Sequence, residues 1–276
     1  MGNKIFIVIL AFAAVLFFGC KKDKSSPKPS PAGTGGSNKN SIYSDSVFFV
    51  GPDNSIVKPV ITQSGTYSAI PDGLAIDEHT GQIEPNKSET GLKYKVTFTP
   101  DSGVPQTSII IISGINYEDK IYNLSAGDSI AAPIYNADAN LNLPGANGSS
   151  SFDESGGCKD AGIAVDKVNA EINLASTVRN QGIDTGATRQ VKLAYRISDA
   201  SGKALNGLEL KIYFYRTVSE IPQYLTDLIA ERKTIIFNAN AVTAINQAHT
   251  PVLASLATSA KRPARPRPPC IIVVSR

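Results

Sequence analysis

Short runs in which apolar and polar residues alternate recur along the chain after residue 41. The clearest are Tyr94–Thr99, Val191–Ile197 and Leu208–Tyr215, and their alternation has the period of two that is typical of half-buried β-strands. Turn sequences such as Pro71-Asp72-Gly73 separate these runs, and the chain contains 22 Gly and 17 Pro. Because Gly and Pro punctuate strands far more than helices, the pattern predicts an all-β protein.

A sequence motif that begins at residue 73 returns 89 residues further along the chain. The first copy, Gly73–Ile83, reads GLAIDEHTGQI, and the second, Gly162–Ile172, reads GIAVDKVNAEI. The segments that precede them also correspond, with SIVKPVI at Ser55–Ile61 and SIAAPIY at Ser129–Tyr135. Each copy reads as a set of short strands with turns between them. The repeat therefore predicts two tandem antiparallel β-sandwiches.

The predicted sandwiches cover residues 42–115 and 116–218, and the second is the longer of the two. Its extra length includes Asn140–Gly157, which is rich in Gly, Ser and Asn and is predicted to be an inserted loop, since loops lengthen at little entropic cost. This loop is the candidate for a binding surface. Asp153 and Glu154 within it are predicted to lie in solvent and not to form an acid/base pair.

The N-terminus combines a basic residue, an apolar run and a small residue before a cysteine. Lys4 precedes the unbroken apolar stretch Ile5–Phe18, which Gly19 and Cys20 follow. A helix over this stretch would be about 21 Å long, short of the ~30 Å hydrocarbon core of a bilayer. Residues 1–19 are therefore predicted to be a signal peptide for export and not a transmembrane anchor.

The signal peptide resembles that of bacterial lipoproteins, in which the cysteine is acylated and becomes the new N-terminus. The resemblance implies lipidation of Cys20, and the alternative is ordinary secretion with Cys20 as a bystander. Residues 20–41 are rich in Pro, Gly, Ser and Lys, which predicts a flexible tether. The run Cys20–Lys24 resembles lipoproteins of the Bacteroidetes, which implies a lipid-anchored location in the cell envelope, at the outer membrane.

Residues 219–276 are predicted to form a small segment of mixed structure. Ile221–Lys233 carries apolar residues at helical spacing, which predicts an amphipathic helix. Near the end, Cys270–Val274 is wholly apolar and predicts a last strand that returns to a sheet. The Pro-rich stretch before it carries Lys261, Arg262, Arg265 and Arg267. This stretch is either a solvated linker or a contact for anionic lipid or polysaccharide.

The first copy of the repeat resembles the Ig-like (cadherin-like) domains of bacterial surface proteins. The matching residues are Pro71, Gly73, Leu74, Ile76, Asp77, Thr80, Gly81, Ile83, Gly91, Tyr94 and Val96. The resemblance covers about Ser41 to Thr217, although Pro85 replaces the usual Gly, and Asn169-Ala170 replaces Thr-Gly in the second copy. It implies two tandem Ig-like or cadherin-like β-sandwiches, a fold that serves in spacers, adhesive units and carbohydrate-associated modules.

Asp77 and Asp166 occupy the same position in the two copies. The resemblance to cadherin-like domains implies calcium as a ligand, but calcium takes six to eight oxygens and one Asp per copy does not make a site. The favoured interpretation is that each Asp caps a tight turn through its side chain. No metal site is predicted, and His79 and His249 are expected at the surface.

Three cysteines occur in the chain, and Cys20 is assigned to the lipid anchor. Two alternatives stand for Cys158 and Cys270. They form a disulfide in the oxidising envelope compartment, or they are two unpaired core residues, because the sequence does not give their separation.

The charge and the motifs of the chain narrow the class of function. A formal net charge of +3 is too small to indicate a nucleic-acid partner, and no Gly-x-Ser-x-Gly sequence occurs. The leading hypothesis is a non-enzymatic envelope lipoprotein that acts as a binding or spacer module, with glycan as the expected ligand class. The alternative is a structural or adhesive protein that binds another envelope protein. A polysaccharide-acting enzyme comes third, because paired carboxylates can come from distant strands.

Overall fold

The computed structural model describes residues 41–182, 185–235 and 267–276. These residues are mostly β, with few helices and several sheets, and they lie in one compact unit of the chain. The strands are β1 (Val47–Phe48), β2 (Gly65–Ile70), β3 (Leu92–Pro100), β4 (Gln106–Ile112), β5 (Ile115–Tyr117), β6 (Lys120–Asn123), β7 (Ile130–Ala131), β8 (Pro133–Tyr135), β9 (Ser151–Phe152), β10 (Ile172–Asn173), β11 (Thr188–Arg196), β12 (Asn206–Tyr215) and β13 (Cys270–Val274). The helices are α1 (Gly157–Asp160), α2 (Leu174–Gln181) and α3 (Gln223–Ile235), and 3₁₀ turns lie at Pro85–Lys87, Leu124–Ala126 and Val218–Glu220.

Several predictions made from the sequence fall on residues outside these ranges. They concern the signal peptide, the lipidation of Cys20, the tether up to residue 40, His249 and the basic residues Lys261, Arg262 and Arg265. In the part of the chain that the structure describes, no helix has the length and the apolar character needed to cross a bilayer.

The first repeat, residues 41–113, forms a four-stranded sheet in the order β1-β4-β3-β2. Strands β2, β3 and β4 are antiparallel, whereas β1 is parallel to β4 and pairs with it only at Val47 with Ile111 and at Phe48 with Ile112. Alternate side chains of each strand point to one face of the sheet and form a core there. The core includes Leu92, Tyr94, Val96, Phe98, Ile110 and Ile112.

The second repeat, residues 115–217, contributes to a five-stranded sheet in the order β6-β13-β12-β11-β9. Strands β9, β11 and β12 are antiparallel, as β2, β3 and β4 are in the first repeat. Strand β13 is parallel to both of its neighbours, with Ile272 opposite Tyr213 on one side and Ile121 on the other. A strand from the C-terminus therefore lies inside the sheet of the second repeat.

The two faces of this five-stranded sheet carry separate cores. Ile271 and Val273 of β13 pack with the large core of the second repeat, together with Leu208, Leu210, Ile212 and Phe214 of β12. On the opposite face, Cys270, Ile272 and Val274 pack with Tyr213 and Tyr215 and with Ile221, Leu225 and Ile229, the last two from α3. Helix α3 overlaps Ile221–Lys233, the segment for which a helix was predicted, and its buried side covers this second face.

Two short ribbons complete the second repeat, in which β5 pairs with β8 and β7 pairs with β10. The first repeat has the same connections as single bridges and hydrogen bonds. Val57 pairs with Ile83 where Ala131 pairs with Ile172, and the Val60 amide donates to the Ile42 carbonyl at 2.8 Å. The two repeats thus share their ribbons as well as their sheets.

Candidate functional site

The recurring Asp builds the same tight turn in both repeats. Asp77 Oδ1 accepts hydrogen bonds from the amides of His79 at 3.0 Å and Thr80 at 2.7 Å, and from Thr80 Oγ1 at 2.9 Å. Asp166 Oδ1 accepts from the amides of Val168 at 2.7 Å and Asn169 at 3.1 Å. The hydrogen bonds from Thr80 and His79 lower the pKa of the Asp77 carboxyl. Both carboxylates therefore act as turn caps, the role that the sequence favoured for them.

Each turn is closed by a residue in the left-handed region of backbone space. In the first repeat this residue is Gly81, with φ of 67°, and in the second it is Ala170, with φ of 62°. Its amide donates to the carbonyl of the recurring Asp, at 2.9 Å in the first repeat and 3.0 Å in the second. Glycine adopts this conformation readily, and a residue with a Cβ does so at a cost. The second repeat keeps the turn despite that cost.

A buried tyrosine fixes each turn from below. Tyr43 Oη donates to the Gly81 carbonyl at 2.8 Å, and Tyr117 Oη donates to the Ala170 carbonyl at 2.6 Å. Burial raises the pKa of both phenols, so they stay protonated donors. The role of these two tyrosines was not predicted from the sequence. The signal was available, because Tyr43 and Tyr117 are 74 residues apart, the same spacing as the corresponding Ser55 and Ser129.

The turns do not bring together the set of ligands that a metal site needs. In the described part of the chain, no cluster of three His, Cys, Asp or Glu side chains could hold an ion. His79 is exposed and approaches Glu78 at 3.4 Å through Nε2. Polar groups converge instead at the junction between the repeats.

The junction leaves little chain between the repeats, because only Ser113 and Gly114 separate β4 from β5. Tyr195 Oη in the second repeat pairs with Thr90 Oγ1 in the first at 2.8 Å and accepts from the Ile115 amide at 3.3 Å. Gly114 has φ of 151°, and a Cβ placed on it would lie 2.6 Å from both Thr90 Cβ and Tyr195 Oη. Only glycine lets the chain pass at this point without displacing these groups.

Two further side chains hold the junction on its other side. Asp199 Oδ2 accepts from Tyr135 Oη at 2.9 Å and from Ser113 Oγ at 3.2 Å, and Asn136 Oδ1 accepts from the Gly114 amide at 3.1 Å. A depression of about 220 Å³, including its open mouth, lies beside Asp199 and is lined in part by Val50 and Ile197. Pockets for drug-sized ligands are larger, roughly 300–1,000 Å³. The depression has room only for a small group.

A cluster of charged side chains lies where β13 enters the sheet. Asp119 is 3% exposed, and its Oδ1 accepts from Arg232 Nη1 at 2.8 Å and from the Cys270 amide at 2.5 Å. Arg232 Nη1 also donates to the Pro268 carbonyl at 2.9 Å. Glu89 of the first repeat accepts from the Arg267 amide through Oε2 and from Asn116 Nδ2 through Oε1 at 3.3 Å. The cluster thus joins the first repeat, the second repeat, α3 and the C-terminal strand.

Burial dominates the electrostatics of this cluster. It raises the pKa of the Glu89 carboxyl to about 7, even though the Arg267 amide, Asn116 and the two arginines act in the opposite direction. Burial also lowers the pKa of Arg267, and the nearby Arg232 charge adds to that effect. Glu89 is therefore a carboxyl group that changes its charge near neutral pH.

Both remaining cysteines are free and buried in the structure. Cys158 belongs to the core on one face of the five-stranded sheet, and Cys270 belongs to the core on the other. The structure thus places them as unpaired core residues, the second of the two alternatives, and it does not contain a disulfide between them. Burial raises the pKa of Cys158 to about 12 and of Cys270 to about 11, so neither thiol is activated.

The inserted loop is more ordered than its composition suggested. Asp153 is 1% exposed, and its carboxylate accepts from the amides of Cys158 at 2.8 Å and Lys159 at 3.1 Å at the start of α1. The expectation that Asp153 lies in solvent was wrong, because it caps these buried amides. Its neighbour Glu154 pairs with Arg196 at 2.9 Å. Both carboxylates are therefore held by hydrogen bonds or an ion pair that stabilise the loop.

Comparison with known proteins gives weak structural likeness and no family. No family model matches the chain, and no curated protein matches it. A solved structure that matches is the crystal structure of Drosophila N-cadherin EC1-4, at 11% identity over 62% of this chain and 48% of that one, with a TM-score of 0.20. This chain spans about half the length of that structure. The chain is a weak structural neighbour of cadherin domains, which have an Ig-like β fold, and at this TM-score the likeness carries no argument about fold or function.

Proposed function

We propose that this protein is a non-enzymatic, lipid-anchored spacer of the cell envelope, in which two tandem Ig-like β-sandwiches form one rigid body. The observation that carries the proposal is the junction, where a two-residue connection is combined with buried hydrogen bonds between Thr90, Tyr195 and Ile115. Domains joined by a linker usually move relative to one another. A spacer that keeps a fixed length requires a junction of this kind.

The anchor and tether of the proposal rest on the sequence. Residues 1–19 have the pattern of an export signal, Cys20 stands at the lipoprotein cleavage position, and residues 20–41 have a tether composition. The Bacteroidetes-like run after Cys20 favours the outer membrane. Together these features would hold the folded part at a distance from the bilayer.

The surface favours a protein over a glycan as the partner that such a spacer would meet. Sugar rings commonly stack on exposed aromatic side chains, and among the described residues Tyr224, at 64% exposure, is the one aromatic side chain more than about a third exposed. Exposed aliphatic residues are more numerous and include Ile56, Val60 and Val104. Glycan is the ligand class that the sequence suggested. A substitution at Tyr224 is the way to test whether the protein binds one.

The proposal is tested on the full chain expressed in a Gram-negative host. Incorporation of radiolabelled palmitate at Cys20, and its loss in Cys20→Ala, is the expected result for the anchor. For the activity, the purified protein is incubated with a panel of polysaccharides, with and without calcium, and both retention and release of reducing sugar are measured. We expect no sugar release from any polysaccharide. Release that persists after repurification would overturn the non-enzymatic assignment.

A matched pair of variants separates glycan binding from spacing. Tyr224→Ala removes the exposed aromatic ring, and Val218→Ala removes an exposed aliphatic side chain nearby in sequence. Saturable retention on one polysaccharide that Tyr224→Ala abolishes and Val218→Ala leaves intact would make glycan the partner. Without retention, chemical cross-linking in the native envelope is expected to capture a protein partner.

A further inference from the structure

The charged cluster at the entry of β13 contains two guanidinium groups with donors that no acceptor meets. Arg232 Nε and Arg267 Nη1 are both buried, and neither has a hydrogen-bond partner in the described part of the chain. Arg232 belongs to α3 and its side chain is 11% exposed, and Arg267 lies three residues before β13. Buried charged donors are rarely left unpaired in folded proteins, because water is lost without compensation. We therefore expect each of these two donors to have an acceptor in the native protein.

The two carboxylates of the cluster are already engaged elsewhere. Asp119 Oδ1 accepts from Arg232 Nη1 and from the Cys270 amide. Glu89 Oε2 accepts from the backbone amide of Arg267, and Glu89 Oε1 accepts from Asn116 Nδ2. Neither carboxylate accepts from Arg232 Nε or Arg267 Nη1.

The charges of the cluster sum to zero or to a positive value. Arg232 and Arg267 carry two positive charges, and Asp119 carries one negative charge. Burial holds the pKa of Glu89 at about 7, so near neutral pH this carboxyl is neutral in about half of the molecules. A positive excess next to unpaired guanidinium donors favours an anion over a water molecule as the missing acceptor.

We propose that Arg232 and Arg267 form a binding site for a small oxyanion, a carboxylate or phosphate group that accepts from Arg232 Nε and Arg267 Nη1. Planar guanidinium groups bind such oxyanions through pairs of parallel hydrogen bonds, which makes arginine the usual residue for this recognition. The site would lie where the first repeat, α3 and β13 meet. The inference does not depend on the proposed spacer function.

The first repeat supplies an internal comparison for this site. Asp45 precedes Asp119 by 74 residues, the spacing at which the repeats correspond. Asp45 is exposed, and its Oδ1 accepts from the adjacent Ser46 amide at 2.7 Å. Asp119 instead accepts from an arginine and from the first amide of β13. The site therefore accompanies the inserted strand and is not a general property of the repeat.

Anion binding and protonation of Glu89 are coupled in this arrangement. The charged and titratable groups that act on Glu89 or share its surroundings are Arg267, Arg232, Asp119, Tyr94, Tyr195 and Asp72. An anion bound to the arginines would repel ionised Glu89 and stabilise its protonated form. Binding near pH 7 should therefore take up protons, and affinity should fall as the pH rises above 7.

Isothermal titration calorimetry of the full chain with sodium phosphate and with sodium acetate tests the proposal at pH 7. Each titration is carried out in two buffers of different ionisation enthalpy, with sodium chloride at matched ionic strength as the blank. We expect saturable binding of at least one oxyanion, and the acetate titration, in which the ligand does not itself titrate near pH 7, should report net proton uptake by Glu89. Loss of the charge-assisted hydrogen bond from Arg267 Nη1 should weaken binding about 10- to 100-fold in Arg267→Gln. The exposed-arginine control Arg216→Gln should bind as the wild type does.

The Glu89→Gln variant distinguishes binding at the arginine site from nonspecific attraction of anions to the protein surface. In the acetate titration this variant should still bind but without proton uptake, because Glu89 is gone and acetate does not itself titrate near pH 7. Should Arg267→Gln fail to fold, Arg267→Lys keeps the charge, lacks the planar fork and is expected to weaken binding as well. Binding that is unchanged in Arg267→Gln or Arg267→Lys, or equal heats with chloride, would overturn the proposal and leave an adventitious ion only.

Discussion

The two repeats use the same unit, and the sheet of the second contains one strand more from outside the repeat. In the first, β1 lies directly against β4 through two residue pairs. In the second, the corresponding β6 and β12 are separated by β13, which forms five pairs with β12 and four with β6. Val47 and Ile121, which are 74 residues apart, hold the equivalent positions in β1 and β6. The unit thus exists with and without the added strand.

This difference shows why the second repeat can accept a strand from elsewhere in the chain. A parallel pair of two residues contributes few ladder hydrogen bonds, so opening it gives up little. A five-residue apolar strand then supplies two longer ladders and buries all of its side chains, each between 0 and 2% exposed. Helix α3 covers the outer face that the added strand widens. The comparison predicts that the second repeat depends on β13 and that the first does not.

Removing β13 should have the largest effect. Burial of each of its large side chains contributes about 1.5–3 kcal/mol, and the sum is comparable to the whole stability of a domain. Deletion of residues 270–276 should therefore unfold the second repeat, and hydrogen exchange should show loss of protection in β11 and β12 with retention in β3 and β4. Deletion of Ser275 and Arg276 alone, which leaves the strand, is the control. Unchanged protection in β12 after the longer deletion would contradict the comparison.

The two left-handed turn positions should respond unequally to exchange of their residues. A Cβ on Gly81 would lie 2.6 Å from the Tyr67 ring, so Gly81→Ala should lower the free energy of unfolding by about 2–4 kcal/mol. In Ala170→Gly, relief of about 1–2 kcal/mol of backbone strain is offset by the lost burial of a methyl group, about 0.8 kcal/mol. The net change should be a small gain in stability, about 0.2–1.2 kcal/mol. Urea unfolding of both variants measures the difference, and equal losses would argue against it.

The pH dependence of stability should show the contribution of the buried Glu89 in the charged cluster. Its pKa is raised in the folded protein from 4.5 to about 7, so the folded state binds more protons than the unfolded state within that window. The contribution of Glu89 to the free energy of unfolding should therefore rise as the pH falls from about 7 to 4.5, by about 3 kcal/mol. Thermal unfolding of wild type and Glu89→Gln over this range measures the effect. The variant should lack this contribution, and two parallel profiles would refute the assignment.

The buried tyrosines should have the smallest and most symmetric effects. Tyr43→Phe and Tyr117→Phe each remove one hydrogen bond to a turn carbonyl, so each should cost about 1 kcal/mol. Tyr224→Phe, at an exposed position, is the control and should cost close to nothing. If only one of the two buried variants were destabilised, the turns would not be equivalent, and chemical denaturation resolves the two cases.

The sequence predicted the local elements well because they depend on local chemistry. Strand alternation at Tyr94–Thr99 and turn capping by Asp77 both follow from neighbouring residues, and the structure shows a strand and a capped turn there. The β-rich character follows in the same way. The finer prediction of two tandem Ig-like sandwiches, with boundaries at residues 115 and 218, stays a prediction.

The insertion of β13 and the junction could not be read from the sequence in the same way. The apolar run Cys270–Val274 indicates a strand but does not say which strands it pairs with, because its partners lie about 60 and 150 residues away. The charged cluster draws its four residues from four separate segments. Asp119 had a signal at the 74-residue spacing from Asp45, but its burial depends on β13.

The most direct test of the rigid spacer is a distance distribution across the junction. Thr107→Cys in the first repeat and Lys192→Cys in the second place spin labels on exposed strand positions of the full chain, and the buried native Cys158 and Cys270 should react slowly. Pulsed electron–electron double resonance should then show one narrow distance. The distance should also be narrow in a second labelled pair, Thr107→Cys with Lys203→Cys. A broad or two-peaked distribution would contradict a rigid junction.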